Sequence, residues 1–135
     1  MANALYDHGR ENFLSGDISW DGDDIHLAFI DEGDDAIDLA NDEDMGDRVS
    51  GAIVDESGNF ANKSIAAGVA DADDITVPTV TGDQFESIDI FKHTGVSSTD
   101  LLIANIDTAT GLPFTPSGGD IEVQWDAGAN KIFKL

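Results

Sequence analysis

Three histidines could serve acid–base or metal chemistry, but their spacing favours neither. His8, His26 and His93 share no HxH, HxxH or HExxH pattern. His26 alternates with apolar neighbours in IHL, which predicts a surface position on a strand, and His93 lies in the turn-like stretch FKHTGVSS. We therefore interpret all three as residues without a catalytic or metal-binding role.

Nucleophilic catalysis and phosphate binding also lack their usual signatures. The chain has no cysteine, no GxSxG, no GxxxxGK[ST] and no GxGxxG, so we predict neither an enzyme nor a cofactor site. A hydrolase built on an Asp/Glu pair remains the enzymatic alternative, because 28 acidic residues place some carboxylates at suitable spacings by chance. That alternative requires a deep cleft lined by carboxylates.

Clustered aspartates raise the question of calcium. The stretches DGDD (21–24), DEGDD (31–35) and DADD (71–74) offer oxygen ligands, but none follows D-x-[DN]-x-[DN]-G with a glutamate at the twelfth position. Aspartate is also a common turn residue. We therefore predict no specific metal site and expect only weak counterion binding.

The charge of the chain excludes several partners. Six basic residues face 28 acidic ones, for a net charge of −22. Because affinity for phosphates comes mainly from Lys and Arg, we expect no binding to nucleic acid or to anionic membranes. Fourteen of the acids lie in residues 21–56, where Arg48 is the only base. Such acidity either keeps the protein soluble or suits a basic partner.

Short segments rich in β-branched residues predict an all-β protein. Turn-forming residues separate them at the spacing typical of a sandwich or barrel. With 135 residues and 41% hydrophobic content, we predict a single domain (1–135), a single antiparallel β-sandwich or jelly-roll-like barrel, with no transmembrane span and no secretory signal. The predicted strands are 17–20, 25–31, 36–39, 48–54, 63–69, 75–80, 85–91, 101–106, 121–125 and 131–135.

Two short helices complete the predicted elements. One covers residues 3–14, with Asn3 as its cap and Gly16 at its end, although Gly9 weakens it by about 1 kcal/mol relative to alanine. The other covers residues 40–46, with Asn41 as its cap.

The C-terminus predicts a β-hairpin. In residues 119–135 the alternating stretch IEVQW is followed by the turn-like DAGAN and the return stretch KIFKL. Lys131 and Lys134 would then protect the edge of the sheet from aggregation. We expect that removing residues 133–135 lowers stability.

Three stretches resemble a group of small virion structural proteins of tailed bacteriophages. They are MANALYDHGRENFLSGDISWDGDDIHLAFID, TVPTVTGDQFESIDIFKHTG and LLIANIDTATGLPFTPSGGDIEVQWDAGANKIFKL, about two thirds of the chain. The group is defined by overall similarity, so it carries no site residues over. Some of its members resemble capsid cement (decoration) proteins, which sit on the outside of the head shell, often as trimers.

The resemblance implies a protein on the capsid exterior that binds the phage major capsid protein and stabilises the head, as a homo-oligomer with a trimer favoured. A tail or neck component is one alternative. Another is a β-sandwich module that binds a host or glycan, which would need exposed aromatic platforms.

A cement protein also needs exposed apolar anchors, and the N-terminus offers candidates. Residues 1–16 form either an arm that reaches a neighbouring subunit or a short helix. The candidate interface residues are Leu5, Tyr6, Phe13 and Leu14. The alternative is that these four side chains pack on their own sandwich.

Overall fold

The computed structural model describes residues 3–135 and is mainly β. Its elements are β1 (Ala4–Leu5), α1 (Asp7–Ser15), β2 (Ile25–Ile30), β3 (Ile53–Glu56), β4 (Ser64–Ala66), β5 (Val69–Asp71), β6 (Ile75–Val77), β7 (Ser87–Lys92), β8 (Leu102–Ile106), β9 (Ile121–Val123) and β10 (Phe133–Lys134). Short 3₁₀ helices cover Met45–Asp47, Ser50–Ala52 and Ser97–Thr99. The predicted all-β class is confirmed; the arrangement is sandwich-like, and the described strands do not close into a barrel.

The largest sheet contains five antiparallel strands in the order β1-β8-β7-β2-β3. Its centre is the pair β2–β7, which runs from Ile25 opposite Lys92 to Ile30 opposite Ser87. Both strands are rich in isoleucine and phenylalanine, which suit a pleated, buried surface. β2 is covered on both faces, and only His26 in it is partly exposed.

The inner face of this sheet packs against a second layer made of two small sheets, β10-β5-β4 and β6-β9. The buried side chains of this apolar core include Leu27, Phe29, Ile90, Ile103, Trp20, Phe60, Val77 and Phe85. Aromatic side chains of this second layer contact one another. The Trp20 ring centroid lies 5.2 Å from that of Phe133 and 6.0 Å from that of Phe60. The ring centroids of Phe60 and Trp125 are 5.3 Å apart.

The outer face of the same sheet is covered by the acidic segment 31–52. Ile37, Leu39 and Met45 of that segment pack there with Tyr6 and Ile53. The segment consists of turns and 3₁₀ helices, so the strand predicted at 36–39 is wrong. The Asp38 carboxylate accepts hydrogen bonds from the amides of Ala40 and Asn41, which holds this stretch in a turn.

Helix α1 differs from the prediction at its start. It ends at Gly16 as expected, where φ is +86°, but its cap is Tyr6 rather than Asn3. The reason is that β1 pairs with β8 first, and the Asn3 side chain accepts hydrogen bonds from the amides of Asp107 and Thr108. No helix among residues 3–135 is long and apolar enough to cross a membrane.

The helix predicted at 40–46 is only a 3₁₀ turn, Met45–Asp47. Its cap is Asp44, whose carboxylate accepts a hydrogen bond from the amide of Gly46 at 2.8 Å, and not Asn41. The side chain of Asn41 instead donates to Asp38. Short acidic side chains favour such local bonds to the backbone, which compete with a longer helix.

The predicted C-terminal hairpin (119–135) is wrong. β9 pairs with β6, placing Ile121 opposite Val77, whereas β10 pairs with β5, placing Phe133 opposite Ala70. The two strands therefore cover different parts of the main sheet, and 124–132 connects them.

A tight hairpin occurs instead between β4 and β5, which replaces the single strand predicted at 63–69. Its two-residue turn, Ala67–Gly68, has φ angles of +53° and +78°. Such left-handed turns match the twist of the flanking strands. The strand predicted at 17–20 is irregular.

Candidate functional site

A buried polar network lies on the outer face of the main sheet. Arg48 Nε donates to Asp89 Oδ2 at 2.8 Å, and Arg48 also donates to the hydroxyl of Tyr6 at 2.6 Å and to Asp42 at 2.7 Å. Asp89 accepts further bonds from the Tyr6 hydroxyl at 2.5 Å and from Asn105 at 3.0 Å. The Arg48 and Asp89 side chains are fully buried, so the network fastens the acidic segment to the sheet and offers no surface to a ligand.

The pKa shifts of Tyr6 and Arg48 keep the phenol neutral and the guanidinium charged within this network. Burial raises the pKa of Tyr6, and the neighbouring Asp89 carboxylate raises it further, so the phenol stays neutral and donates its hydrogen bond. Burial alone lowers the pKa of Arg48, but Asp89 outweighs that effect and the pKa is raised.

Two histidines that are distant in sequence meet on the same outer face. The rings of His26 and His93 stack with centroids 4.1 Å apart and an interplanar angle of 14°. The His26 side chain is 12% exposed, so its predicted surface position is wrong. Sequence spacing missed the pair because it depends on β2 lying beside β7. Burial lowers the pKa of His26, and the His93 ring lowers it further.

Carboxylates lie near both rings of this histidine pair. An oxygen of Asp24 is 3.6 Å from His26 Nε2, and an oxygen of Asp100 is 3.8 Å from His93 Nδ1. Within residues 3–135, no histidine joins two other candidate ligands whose donor atoms all lie within 4.8 Å of one another.

One group of carboxylates has the compactness that a cation would require. Oxygens of Asp31, Asp34 and Asp83 lie within 4.8 Å of one another. Asp31 and Asp34 belong to the DEGDD stretch considered for calcium, and the fold adds Asp83. Asp31 already accepts a hydrogen bond from the amide of Gly33, and exposed acidic groups of this kind are common without a bound ion.

The four predicted interface residues differ in how far they are buried. Leu5 is 6% exposed and Tyr6 is fully buried, so for these two the alternative of packing on their own sheet is correct. They are drawn inward because β1 joins the main sheet. Phe13 is half-buried, with its ring 6.0 Å from that of Phe133, whereas Leu14 is 86% exposed.

A second exposed apolar surface lies beside the C-terminus and was not predicted as a site. We call it the C-terminal edge, formed by Ile65 and Leu135. Lys131 and Lys134 are close in sequence but do not line it, and Lys134 faces the other side of the β10-β5-β4 sheet because it pairs with Val69. Ile65 and Leu135 are each 57% exposed and border a cleft of about 320 Å³ whose floor includes Trp20. The two lysines make no ion pair or side-chain hydrogen bond with any described residue. From the sequence, the stretch KIFKL predicts only that these lysines protect the edge of the sheet.

A larger cleft opens at the β6–β9 side of the second layer. This aromatic cleft has a volume of about 490 Å³ and is lined mainly by Phe29, Phe85, Leu112, Phe114, Ile121 and Val123. Phe85 stacks on Phe29 at 4.3 Å and contacts Phe114 at 5.7 Å. Glu122 is the one carboxylate that lines it.

The C-terminal edge and the aromatic cleft are separate surfaces. The clefts at the two places share no lining residue. The path between them runs through Trp20, Phe60 and Trp125, whose rings contact in that order. The indole nitrogens of both tryptophans donate to backbone carbonyls, of Asp71 and Asp73.

Comparison with protein-family models gave no match. Comparison with curated proteins likewise gave no similar sequence.

Proposed function

We propose that the chain is a virion structural protein of a tailed bacteriophage that binds the outside of the major capsid protein shell as a homo-oligomer, a trimer being favoured, and stabilises the head. The resemblance of its first 31 residues, of residues 76–95 and of residues 101–135 to such proteins supports this assignment. A strongly acidic β protein with local apolar anchors has the properties that the role needs.

The observation that carries the proposal is Leu14. This side chain is 86% exposed at the end of α1, although the chain around it is strongly charged. The helix that presents it is held firmly, because Gly9 lies directly against the backbone of β8. An apolar side chain on a rigid support is typical of an anchor that becomes buried in an interface.

The mechanism of stabilisation would be mass action. A protein that binds only the assembled shell lowers the free energy of that state relative to free subunits. Many copies act together only when each holds its geometry, which a packed β core provides. The remaining acidic surface would give the particle a negative exterior.

A glycan-binding module is less well supported than the shell role. Trp20 is 3% exposed, and Trp125 is half-buried with its indole nitrogen bonded to Asp73. Neither tryptophan therefore offers a free platform for a sugar ring. A tail or neck position remains the second virion location, and copy number distinguishes it.

The test uses shells of the same phage assembled without this protein. Purified wild-type protein, Leu14→Asp and the matched control Val96→Asp are each added, since Val96 is a similarly exposed apolar residue (58%) outside the helix. We expect wild type and the control to cosediment with the shells and raise their melting temperature, and Leu14→Asp to bind at least about tenfold more weakly.

A reconstruction of the intact particle gives the location. Density for the chain on the outer shell, in hundreds of copies, supports the proposal. A few copies confined to the neck or tail, or no binding to shells by the wild-type protein, would show that the proposal is wrong.

A further inference from the structure

We propose that the shell protein contacts this chain by β-augmentation at strand β4. An extended segment of the shell protein adds to the free edge of β4 and places an apolar side chain beside Ile65. The inference rests on the proposed function and names the kind of segment that the partner supplies. The occupant is an extended strand because the edge offers unpaired backbone groups as well as apolar surface.

The backbone of Ile65 faces away from its own sheet. β4 is the outermost strand of the β10-β5-β4 sheet, and no described strand lies beyond it. Ile65 lies opposite Ala70 of β5, and the Ala70 carbonyl accepts a hydrogen bond from the amide of Ile132, on the β10 side. Ala70 and Ile65 are therefore a pair that exchanges no bonds, and such residues direct their backbone groups outward. The N–H and C=O of Ile65 thus point to the free edge, where an added strand would bond to both.

The row of side chains that crosses this sheet loses its cover at β4. Phe133, Ala70 and Ile65 lie opposite one another on the three strands and therefore share one face. Ala70 is 5% exposed and Phe133 packs edge-on against Trp20, whereas Ile65 is 57% exposed. An added strand would continue this row with a side chain of its own and cover Ile65.

The cleft beside the C-terminal edge determines the chemistry of that side chain. It has a volume of about 320 Å³, and none of the described side chains that line it is charged. A charged group would lose its hydration there without gaining a partner, so the inserted residue must be uncharged and apolar. The rest of the segment should be neutral or basic, because a net charge of −22 repels an acidic one.

The same cleft extends to the anchor of the proposed function. Phe13 and Gly16 line it, and Leu14 lies between them in sequence at the end of α1. A shell subunit that covers Leu14 is therefore close to the free edge of β4. One partner can contact both Leu14 and Ile65.

The first test measures cosedimentation of the full chain and its variants with shells assembled without this protein. Ile65→Ala removes the apolar side chain and keeps the N–H, whereas Ile65→Pro also removes the N–H that faces the free edge. An edge strand tolerates proline where the N–H makes no bond within the sheet. We expect Ile65→Ala to bind about fivefold more weakly than wild type. Ile65→Pro should bind at least about fivefold more weakly than Ile65→Ala.

The matched control is Val96→Ala, which alters a 58% exposed apolar side chain that does not line the cleft. It should bind like wild type. Circular dichroism melts show whether each variant is folded.

Hydrogen exchange of the wild-type protein tests the backbone contact directly. The amide of Ile65 should exchange at least about tenfold more slowly on shells than in the free protein, because the added strand accepts its hydrogen. The amide of Ala66, which faces Val69 of β5, is the internal control and should change less. A contact made by side chains alone would not protect the Ile65 amide in this way. If Ile65→Pro fails to fold, this measurement decides in its place.

The outcomes separate this inference from the proposed function. Wild-type binding with the expected order of variants and a protected Ile65 amide supports both. Wild-type binding with equal affinities for the two Ile65 variants, or with an Ile65 amide that exchanges as fast as in the free protein, overturns the β4 contact and leaves the proposed function standing. A wild-type protein that does not bind shells overturns both.

Discussion

The two faces of the main sheet are closed in opposite ways. The inner face meets a second layer of small sheets and is filled by aliphatic and aromatic side chains such as Leu27 and Phe29. The outer face meets the acidic segment 31–52, and a buried arginine stands at the centre of that contact. Arg48 there binds Asp89 from the sheet and Asp42 from the segment.

The comparison shows how an acidic segment can cover one face of a sheet with few apolar side chains. On the inner face stability comes from buried area, spread over many side chains, so that no single one is essential. On the outer face a few apolar residues suffice because one cation neutralises carboxylates that would otherwise repel each other. Loss of that cation should therefore cost at least as much as loss of a large side chain from the inner face.

The largest effect is expected for Arg48→Met. The change leaves Asp89 fully buried without its ion-pair partner, which should lower the free energy of unfolding by about 3–5 kcal/mol. Thermal and urea unfolding of the variant measure the loss.

A double variant separates loss of the charge from loss of packing. Arg48→Met with Asp89→Leu removes both charges and should be more stable than Arg48→Met alone. If the double variant is no more stable than the single one, the ion pair is not what fastens the segment to the sheet.

On the inner face, removing residues 133–135 is expected to cost about 3 kcal/mol, as for loss of a large core aromatic. Phe133 packs edge-on against Trp20 at 5.2 Å, and β10 pairs with β5. The prediction from sequence stands, but its reason changes, because these residues close the β10-β5-β4 sheet and not a hairpin with β9.

The matched control for this truncation is Leu135→Ser, which alters a 57% exposed side chain and keeps β10. We expect it to melt close to wild type. A truncated protein that melts at the same temperature as full-length protein would contradict the role of β10.

A smaller loss of stability is expected for a substitution in helix α1, where Gly9 lies against strand β8. An added Cβ at Gly9 would lie 2.8 Å from the carbonyl oxygens of Leu102 and Ile103. Gly9→Ala should therefore destabilise the protein by about 1–3 kcal/mol through overpacking. Helix propensity alone predicts the opposite sign, a gain of about 1 kcal/mol, so a chemical denaturation curve decides between the two.

The inner face could largely be predicted from the sequence. Alternation in IHLAFI and SIDIFK correctly predicts two central strands, because residues facing a packed layer must be apolar at every second position. Pairing could not be predicted in the same way. β9 and β10 are adjacent in sequence and have hairpin-like turn residues between them, yet each pairs with a strand far away in sequence.

The outer face could hardly be predicted. His26 alternates with Ile25 and Leu27, which predicts a surface position, but this face of β2 is covered and the His26 ring stacks on His93. The candidate anchors also divide: Leu5 and Tyr6 are buried against the main sheet, whereas Leu14 is exposed in the last turn of α1. Neither the C-terminal edge nor the aromatic cleft has a local motif, because each combines residues from distant segments.

The smallest expected effect is the pH dependence that His26 gives to the outer face. The folded protein lowers the pKa of His26 below its ordinary value of 6.5, first by burial and then through the stacked His93. Below that value the unfolded chain binds a proton that the folded chain resists, so stability falls as the pH falls.

Replacing the ring in His26→Gln removes this contribution. Carboxyl groups with a raised pKa, such as Glu32, act in the opposite direction in both proteins and cancel in the comparison. Melting temperatures from about pH 8 to about pH 5 should therefore fall more steeply for wild type than for His26→Gln. Parallel curves would mean that His26 in the folded protein accepts a proton as readily as it does in the unfolded chain.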